Sequence, residues 1–122
     1  ILLSGLSRYY HYTKKEEVKN AVVNGALWLI ENTFDHNSGQ FRYTSCENRT
    51  VSGGFQQTQW VIEGLSYAYF FSRNELIGKY LTNAIDTIGK YPENLDHLGL
   101  GKAMAQQMRY TPFILHMLPK HV

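Results

Sequence analysis

The residues best suited to ligand chemistry follow a glycine pair, in a segment rich in amides and aromatic rings. Gln57, Gln59 and Trp60 come shortly after Gly53-Gly54. The glutamine amides donate and accept hydrogen bonds, and an indole face can stack on a sugar ring. A few polar groups beside an apolar surface are typical of a binding site. The alternative interpretation packs Trp60 into the core and leaves both glutamines to cap or solvate a helix start.

A second pair of candidate binding residues, Arg42 and Tyr43, lies upstream in a segment that alternates polar and aromatic residues. An arginine offers a planar fork of donors that fits a carboxylate, such as that of an acidic sugar, through two parallel hydrogen bonds. The alternation over residues 40–44 predicts a short strand, on which Arg42 would face solvent. Carboxylate binding and simple exposure are therefore both open for Arg42.

The acidic residues near these candidates stand in no diagnostic motif. Asp35, Glu47 and Glu63 are the only ones close by. Cleavage of a glycosidic bond requires two carboxyl groups that face each other across the bond, one of them with a raised pKa. Glu63 is equally suited to a buried, hydrogen-bonded role. The sequence therefore assigns no catalytic residue.

Several other classes of site and partner find no support in the sequence. The five histidines show neither HxH nor HxxxH spacing, and the single cysteine, Cys46, has no CxxC partner. We therefore predict no zinc site and no cofactor. The net charge of +2 includes no basic cluster, which argues against nucleic acid as a partner. No apolar run approaches the roughly 20 residues of a membrane span, so no membrane partner is predicted.

The elements that must position the candidate residues are helices. With 122 residues, 43% of them apolar and 18% charged, the chain fits one folded domain. The stretch 60–71 is almost entirely apolar or aromatic, which predicts a central helix, from about residue 57, that other helices surround. Residues 1–12 read as a second apolar helix. Amphipathic patterns over 15–32 and 74–90 predict two outer helices, each with one side facing solvent.

An internal repeat relates the two pairs of helices. At an offset of 59 residues, Gly5-Leu6-Ser7 matches Gly64-Leu65-Ser66. Further matches are Tyr10 with Tyr69, Thr13 with Ser72, Lys14 with Arg73, Glu16 with Glu75, and Asn24 with Asn83. Thr13 and Ser72 each precede a glutamate by three residues, the spacing of a capping box. A repeat of this length is typical of stacked helical hairpins that bury their faces against one another.

The hairpin motifs resemble those of a known fold. The segment GLSRYYHYTKKEEVKNAVVNGALWLIENTFDHNSGQFRYT resembles the hairpin, turn and "D-x-x-x-G-x-F" strand of the (α/α) toroid. That six-hairpin fold occurs in many glycoside hydrolases, polysaccharide lyases and sugar epimerases. The resemblance covers most of residues 1–90. It implies an all-α fold of tandem αα-hairpins, with one short strand-like loop segment near 40–44, in a single helical domain from the C-terminal part of a larger toroid.

The resemblance also implies a function and a site. In such toroids, ligands bind where long loops lead into the inner helices, which places the five candidate binding residues at that mouth: Arg42, Tyr43, Gln57, Gln59 and Trp60. The implied activity is that of a glycoside hydrolase or polysaccharide lyase that binds carbohydrate, with a periplasmic or extracellular location. Because fold does not imply function, the alternative is a noncatalytic helical module for packing or dimerisation.

The ends of the helical array are expected to expose apolar surface. The first helix, over 1–12, and a third inner-type helix predicted over 98–118, kinked or split at Pro112, have no further hairpin beside them. Large exposed apolar patches usually mark interfaces. We therefore expect a homo-oligomer formed through the end helices, or packing against the rest of a longer chain. In the alternative, residues 110–122 fold back over the exposed side and leave a monomer.

Overall fold

The chain is an all-α arrangement of helical hairpins in the computed structural model, which describes residues 1–42, 44–46, 55–89, 105 and 112–116. The elements, in chain order, are α1 (Leu2–Thr13), α2 (Glu16–Thr33), β1 (Phe34–Asp35), β2 (Gln40–Phe41), α3 (Phe55–Ser72) and α4 (Glu75–Gly89). Helices α1 and α2 form one hairpin, and α3 and α4 form the other. The predicted all-α fold of tandem hairpins is confirmed.

Helix α3 is the centre of the molecule. It contacts α1, α2 and α4, and β2 lies against it. Of its described side chains only Trp60 and Phe70 are exposed. Even the polar Glu63 and Ser66 are buried, and the Ser66 hydroxyl donates a hydrogen bond of 2.8 Å to the carbonyl of Ile62. The prediction of a central helix surrounded by others is confirmed.

The two outer helices each bury one stripe of residues at three- and four-residue spacings. In α2 the stripe consists of Val18, Val22, Ala26, Ile30 and Thr33. In α4 it consists of Ile77, Gly78, Leu81, Ala84 and Ile88. Both helices contact α3, and most residues of the two stripes join one core cluster. An amphipathic helix is stabilised mainly when its apolar face packs against a neighbour. The members of the cluster from these stripes are Val22, Ala26, Ile30, Ile77, Leu81, Ala84 and Ile88. None of the described helices is both long and apolar enough to cross a lipid bilayer.

Both hairpins turn through the same local geometry. Lys14 and Arg73 adopt the left-handed conformation, with φ of 54° and 55°. Their N–H groups donate hydrogen bonds of 2.8 and 2.7 Å to the carbonyls of Tyr10 and Tyr69. Each cationic group lies over the ring of that same tyrosine, at 5.6 Å for Lys14 and 5.5 Å for Arg73, a favourable arrangement. The 59-residue repeat in sequence is therefore also a repeat in structure.

The capping box predicted for the first turn is wrong. Thr13 is still in α1, where its hydroxyl donates a 3.0 Å hydrogen bond to the carbonyl of Tyr9. Lys15 is the N-cap of α2 and makes no side-chain cap hydrogen bond. Glu16 instead accepts a hydrogen bond of 2.9 Å from Lys19. The left-handed residue Lys14 separates the two helices, so Thr13 is too far back to cap α2.

The second turn is capped by a different residue from the one predicted. Ser72 belongs to α3 and donates its hydroxyl to the carbonyl of Ala68 at 2.7 Å. Asn74 caps α4, because its side-chain oxygen accepts hydrogen bonds of 3.0 and 3.2 Å from the N–H groups of Leu76 and Ile77. The two turns thus have a left-handed residue at the same position, but only the second has a side-chain cap on its following helix.

A two-stranded hairpin covers one end of the core. Phe34 pairs with Phe41, and Asp35 pairs with Gln40, in antiparallel register. The strand near 40–44 is limited to Gln40 and Phe41, both of which are buried, so the expected alternation of buried and exposed residues is not seen. The reason is that β2 packs on the first turn of α3, where the Phe41 N–H donates a hydrogen bond of 2.9 Å to the Thr58 hydroxyl.

The described residues 112–116 are helical and pack on α3. The ring of Phe113 lies 4.4 Å from that of Tyr67, and Ile114 is buried in the core cluster. Ala105 is also helical, while the rest of the helix predicted over 98–118 lies outside the described residues. This contact covers part of α3 and leaves one face of α1 exposed.

Candidate functional site

A cleft of about 660 Å³ lies where the N-terminal ends of α1 and α3 meet the second half of α2. A volume between roughly 300 and 1,000 Å³ is usual for small-molecule sites. The lining of the cleft is mostly apolar, and its polar groups come from the end of α2, from the segment after β2 and from the first turn of α3. The lining residues are Ile1, Leu2, Leu3, Gly25, Trp28, Leu29, Thr33, Arg42, Thr44, Ser45, Gln57, Trp60, Val61 and Gly64.

Both tryptophans of the chain line this cleft. Trp60 is 44% exposed and Trp28 is 51% exposed. The interpretation that buries Trp60 in the core is therefore wrong. Trp60 lies one helical turn before Gly64, on the side of α3 that faces the cleft, whereas the core lies against other sides of the same helix. Partly exposed indoles on a concave apolar surface offer faces on which a ring-shaped ligand can stack.

Arg42 is fixed at the edge of the cleft by the end of α2. Its backbone N–H donates a 2.7 Å hydrogen bond to the carbonyl of Thr33, and its Nη2 donates one of 2.8 Å to the carbonyl of Asn32. Carbonyls at a helix C-terminus lack intrahelical partners and attract cations. The side chain is half-buried, and its Nε has no hydrogen-bond partner among the described residues. The expected solvent-facing position of Arg42 is therefore wrong.

The two candidate glutamines lie on different sides of α3. Gln57 lines the cleft, whereas Gln59 is 3% exposed and does not. A helix turns by about 100° per residue, so side chains two positions apart point in nearly opposite directions. Of the five predicted binding residues, the structure brings Arg42, Gln57 and Trp60 together. Tyr43 lies outside the described residues.

The acidic candidates that the structure describes are held outside the cleft. Glu63 is 6% exposed and lies 3.4 Å from the guanidinium of Arg8. Asp35 accepts hydrogen bonds of 2.8 Å from the Ser38 hydroxyl and 3.0 Å from the Asn37 N–H, and these bonds lower the pKa of Asp35 below its usual range. Glu47 lies outside the described residues. Among the described residues that line the cleft, none is acidic.

Trp28 is the cleft residue that the sequence predictions missed. It lies on α2 outside the buried stripe, beside Gly25 and Leu29, which also line the cleft. The available signal was a large aromatic residue on the flank of an amphipathic helix, where a polar residue is usual. The absence of a side chain at Gly25 lets α1 and α2 approach closely beside the cleft, because a Cβ on Gly25 would lie 2.7 Å from the Cδ2 of Leu3.

Among the described residues, no three histidine, cysteine, aspartate or glutamate side chains come close enough together to hold a metal ion. No protein-family model, curated protein or solved structure matches this chain. Any function must therefore be argued from the cleft itself and from the resemblance of the hairpin motifs.

Proposed function

We propose that the cleft binds a saccharide, and that the chain is part of a carbohydrate-active enzyme of the (α/α)-toroid type, a glycoside hydrolase or polysaccharide lyase. The observation that carries the proposal is the placement of both tryptophans, partly exposed, on one concave surface with Arg42 and Gln57. A sugar ring has an apolar face of C–H groups and a rim of hydroxyls. Indoles cover such a face, and the amide and guanidinium groups bind the rim.

The charge of the cleft favours an acidic sugar. Arg42 is the one charged side chain among the described residues that line it. An arginine beside a carboxylate gives hydrogen bonds roughly twice as strong as those between neutral groups. Thr44 and Ser45 add hydroxyl groups next to it. We therefore expect oligosaccharides that contain a uronic acid to bind more tightly than neutral ones of the same length.

Tryptophan fluorescence tests this proposal directly. Because both tryptophans line the cleft, emission excited at the red edge of indole absorption reports on this site. Titration with uronic-acid oligosaccharides should give a saturable change. Trp60→Ala should abolish binding, measured in parallel by calorimetry. Phe70→Ala is the matched control, since Phe70 lies on the same helix, is 43% exposed and does not line the cleft.

A second substitution separates the acidic sugar from sugars in general. Arg42→Gln removes the charge and keeps a polar side chain, so it should weaken uronic-acid ligands several-fold and leave neutral ligands nearly unchanged. Equal weakening of both would show that Arg42 acts on the shape of the cleft. If the intact chain gives no saturable signal with any glycan, the saccharide proposal is wrong.

The second candidate function is a noncatalytic helical module that packs or dimerises. It is favoured by one specific observation, the exposure of Leu2, Tyr9 and Tyr12 on α1, which are 73%, 48% and 85% exposed. A chain that binds no glycan and still associates with itself would support this function over the first.

A further inference from the structure

The cleft changes along its length from a polar end to an apolar one. On α2 and on α3 the lining residues follow one another at helical spacing, so they lie in rows along the two helices. In each row the polar residue lies at the end of the helix, and the residues one and two turns further in are apolar. The two rows are Thr33, Leu29 and Gly25 on α2, and Gln57, Val61 and Gly64 on α3.

The polar end is held together by the strand that precedes Arg42. The Arg42 N–H donates its 2.7 Å hydrogen bond to the carbonyl of Thr33, at the end of α2. The neighbouring Phe41 N–H donates a 2.9 Å hydrogen bond to the hydroxyl of Thr58, in the first turn of α3. The end of α2 and the start of α3 are therefore at the same level, with Arg42 beside them. This level is where a carboxylate would bind.

The apolar end is closed by Leu3, which lies across two glycines. A Cβ on Gly25 would lie 2.7 Å from the Cδ2 of Leu3, and a Cβ on Gly64 would lie 3.1 Å from its Cδ1. One methyl group of Leu3 therefore rests on each glycine, and all three residues line the cleft. Because Leu3 occupies the space that two missing side chains leave, its length determines how far the cleft extends between α2 and α3.

We propose that the cleft selects acidic saccharides that carry an O-acyl group, and that Leu3 determines the length of the acyl chain. This inference rests on the proposed saccharide function and adds the class of substituent. The carboxylate binds at Arg42, the sugar ring stacks on the indoles, and the acyl chain extends along Leu29 and Val61 towards Leu3. The order of these groups in the ligand matches the order of the lining residues.

The length of the cleft leaves room beyond a single sugar ring. Thr33 and Gly25 are eight residues apart on α2, which corresponds to about 12 Å at roughly 1.5 Å per residue. A second sugar ring at the apolar end would place hydroxyls against Leu3, Leu29 and Val61, where they would lose water without gaining a polar side chain as a partner. Unpaired buried polar groups are costly, whereas an acyl chain loses only apolar contact with water.

Calorimetric titration of the wild-type chain tests the substituent. The probes are tetramers of galacturonic acid and of glucuronic acid, each with free hydroxyls, with a single O-acetyl group or with a single O-butyryl group. We expect the acetylated tetramer to bind about three- to fivefold more tightly than the free one, because its methyl group is buried. The butyrylated tetramer should gain nothing further, since Leu3 closes the cleft.

Leu3→Ala tests the role of Leu3 in selecting the chain length. The variant uncovers both glycines and extends the apolar end, so the butyrylated tetramer should now bind about tenfold more tightly than the acetylated one. Leu6→Ala is the matched control, because Leu6 is also a half-buried leucine of α1 and does not line the cleft. Leu6→Ala should keep the wild-type order of affinities.

A double variant, Leu3→Ala with Gly25→Ala, separates the length of the cleft from looser helix packing. Among the described residues outside the adjacent part of α2, only Leu3 has a heavy atom within 4 Å of a Cβ on Gly25. The added methyl group therefore fits once Leu3 is shortened, and alanine favours the helix more than glycine does. It refills part of the new space, so the preference for butyryl should fall back towards the wild-type value.

The possible results separate this inference from the function on which it rests. If no tetramer binds, free or acylated, the acidic-saccharide function is wrong and the inference with it. If the free and acetylated tetramers bind equally well to the wild-type chain, the saccharide function stands and the acyl inference is wrong, a result that needs no variant. If acetyl is preferred but Leu3→Ala does not favour butyryl, Leu3 does not determine the chain length.

Discussion

Helices α1 and α3 carry the same Gly-Leu-Ser sequence and end in the same left-handed turn, yet they occupy opposite environments. Leu65 of α3 is completely buried, whereas its counterpart Leu6 in α1 is half-buried. Gly64 packs against α1, whereas Gly5 faces open space. The comparison shows that a local sequence determines the helix and its turn, while the neighbours of that helix determine how much each side chain contributes to stability.

The two helices do not differ at their paired serines, whose hydrogen bonds are local. Ser7 and Ser66 are both fully buried, and both donate their hydroxyl to the carbonyl four residues earlier, at 2.6 and 2.8 Å. These two serines face the interior in both helices. The difference between α1 and α3 is therefore confined to the flank that a further helix would cover. Substitutions at paired positions can measure that difference.

The largest effect is expected at the paired leucines. Leu65→Ala removes a completely buried side chain and leaves a cavity, so the free energy of unfolding should fall by about 4 kcal/mol. Leu6→Ala removes a half-buried side chain next to solvent and should cost about half as much, roughly 2 kcal/mol. Urea unfolding followed by circular dichroism, at a concentration where the chain is monomeric, measures both. Equal losses would show that Leu6 is as well packed in solution as Leu65.

The paired glycines should respond with opposite signs. Gly64→Leu forces a side chain into space that Leu3 already fills, with a Cβ contact of 2.9 Å, and should lower the free energy of unfolding by about 3 kcal/mol. Gly5→Leu meets nothing and replaces the poorest non-proline helix former, so it should raise that free energy by up to about 1 kcal/mol. Thermal unfolding of the dilute proteins gives both signs. A loss of stability in Gly5→Leu would mean that its flank is covered in the monomer.

The helices were predictable because their signals are periodic and local. The repeat between Gly5-Leu6-Ser7 and Gly64-Leu65-Ser66 correctly placed two hairpins, and the apolar run after Trp60 correctly placed a central helix. The capping boxes failed because a left-handed residue, Lys14 or Arg73, separates the helices at each turn. A basic residue gives little sign of that conformation, which glycine or asparagine usually adopts.

The cleft was only partly predictable, since it depends on how the helices pack. Trp60 and Gln57 were found because they start an inner helix after a long connection. Gln59 was grouped with them although the helix points it the other way, and Trp28 was missed because it lies on a different hairpin. The half-buried position of Arg42 depends on a carbonyl at the end of α2, a contact between distant residues that no local pattern encodes.

The smallest effects are expected at the left-handed residues Lys14 and Arg73. The two turns should show the same backbone strain and differ in how much the contact between the cation and the aromatic rings stabilises the fold. Replacing Lys14 or Arg73 with alanine removes the contact with the tyrosine ring and keeps the left-handed strain. Replacing either with glycine also relieves the strain. The difference in the free energy of unfolding between the glycine and alanine variants at one position therefore measures the backbone strain alone. We expect glycine to be more stable than alanine by about 1 kcal/mol at both turns, because φ is 54° at one and 55° at the other.

The two alanine variants should differ in the free energy of unfolding, because Arg73 contacts more aromatic rings than Lys14 does. Its guanidinium lies 5.5 Å from the ring of Tyr69 and 5.4 Å from that of Phe70, whereas the ammonium of Lys14 lies over one ring among the described residues, that of Tyr10, at 5.6 Å. An exposed cation over an aromatic ring contributes roughly 0.5–1 kcal/mol. Arg73→Ala should therefore cost a few tenths of a kcal/mol more than Lys14→Ala in urea unfolding. A glycine-to-alanine difference that is present at one turn and absent at the other would show that only one of them keeps the left-handed geometry in solution.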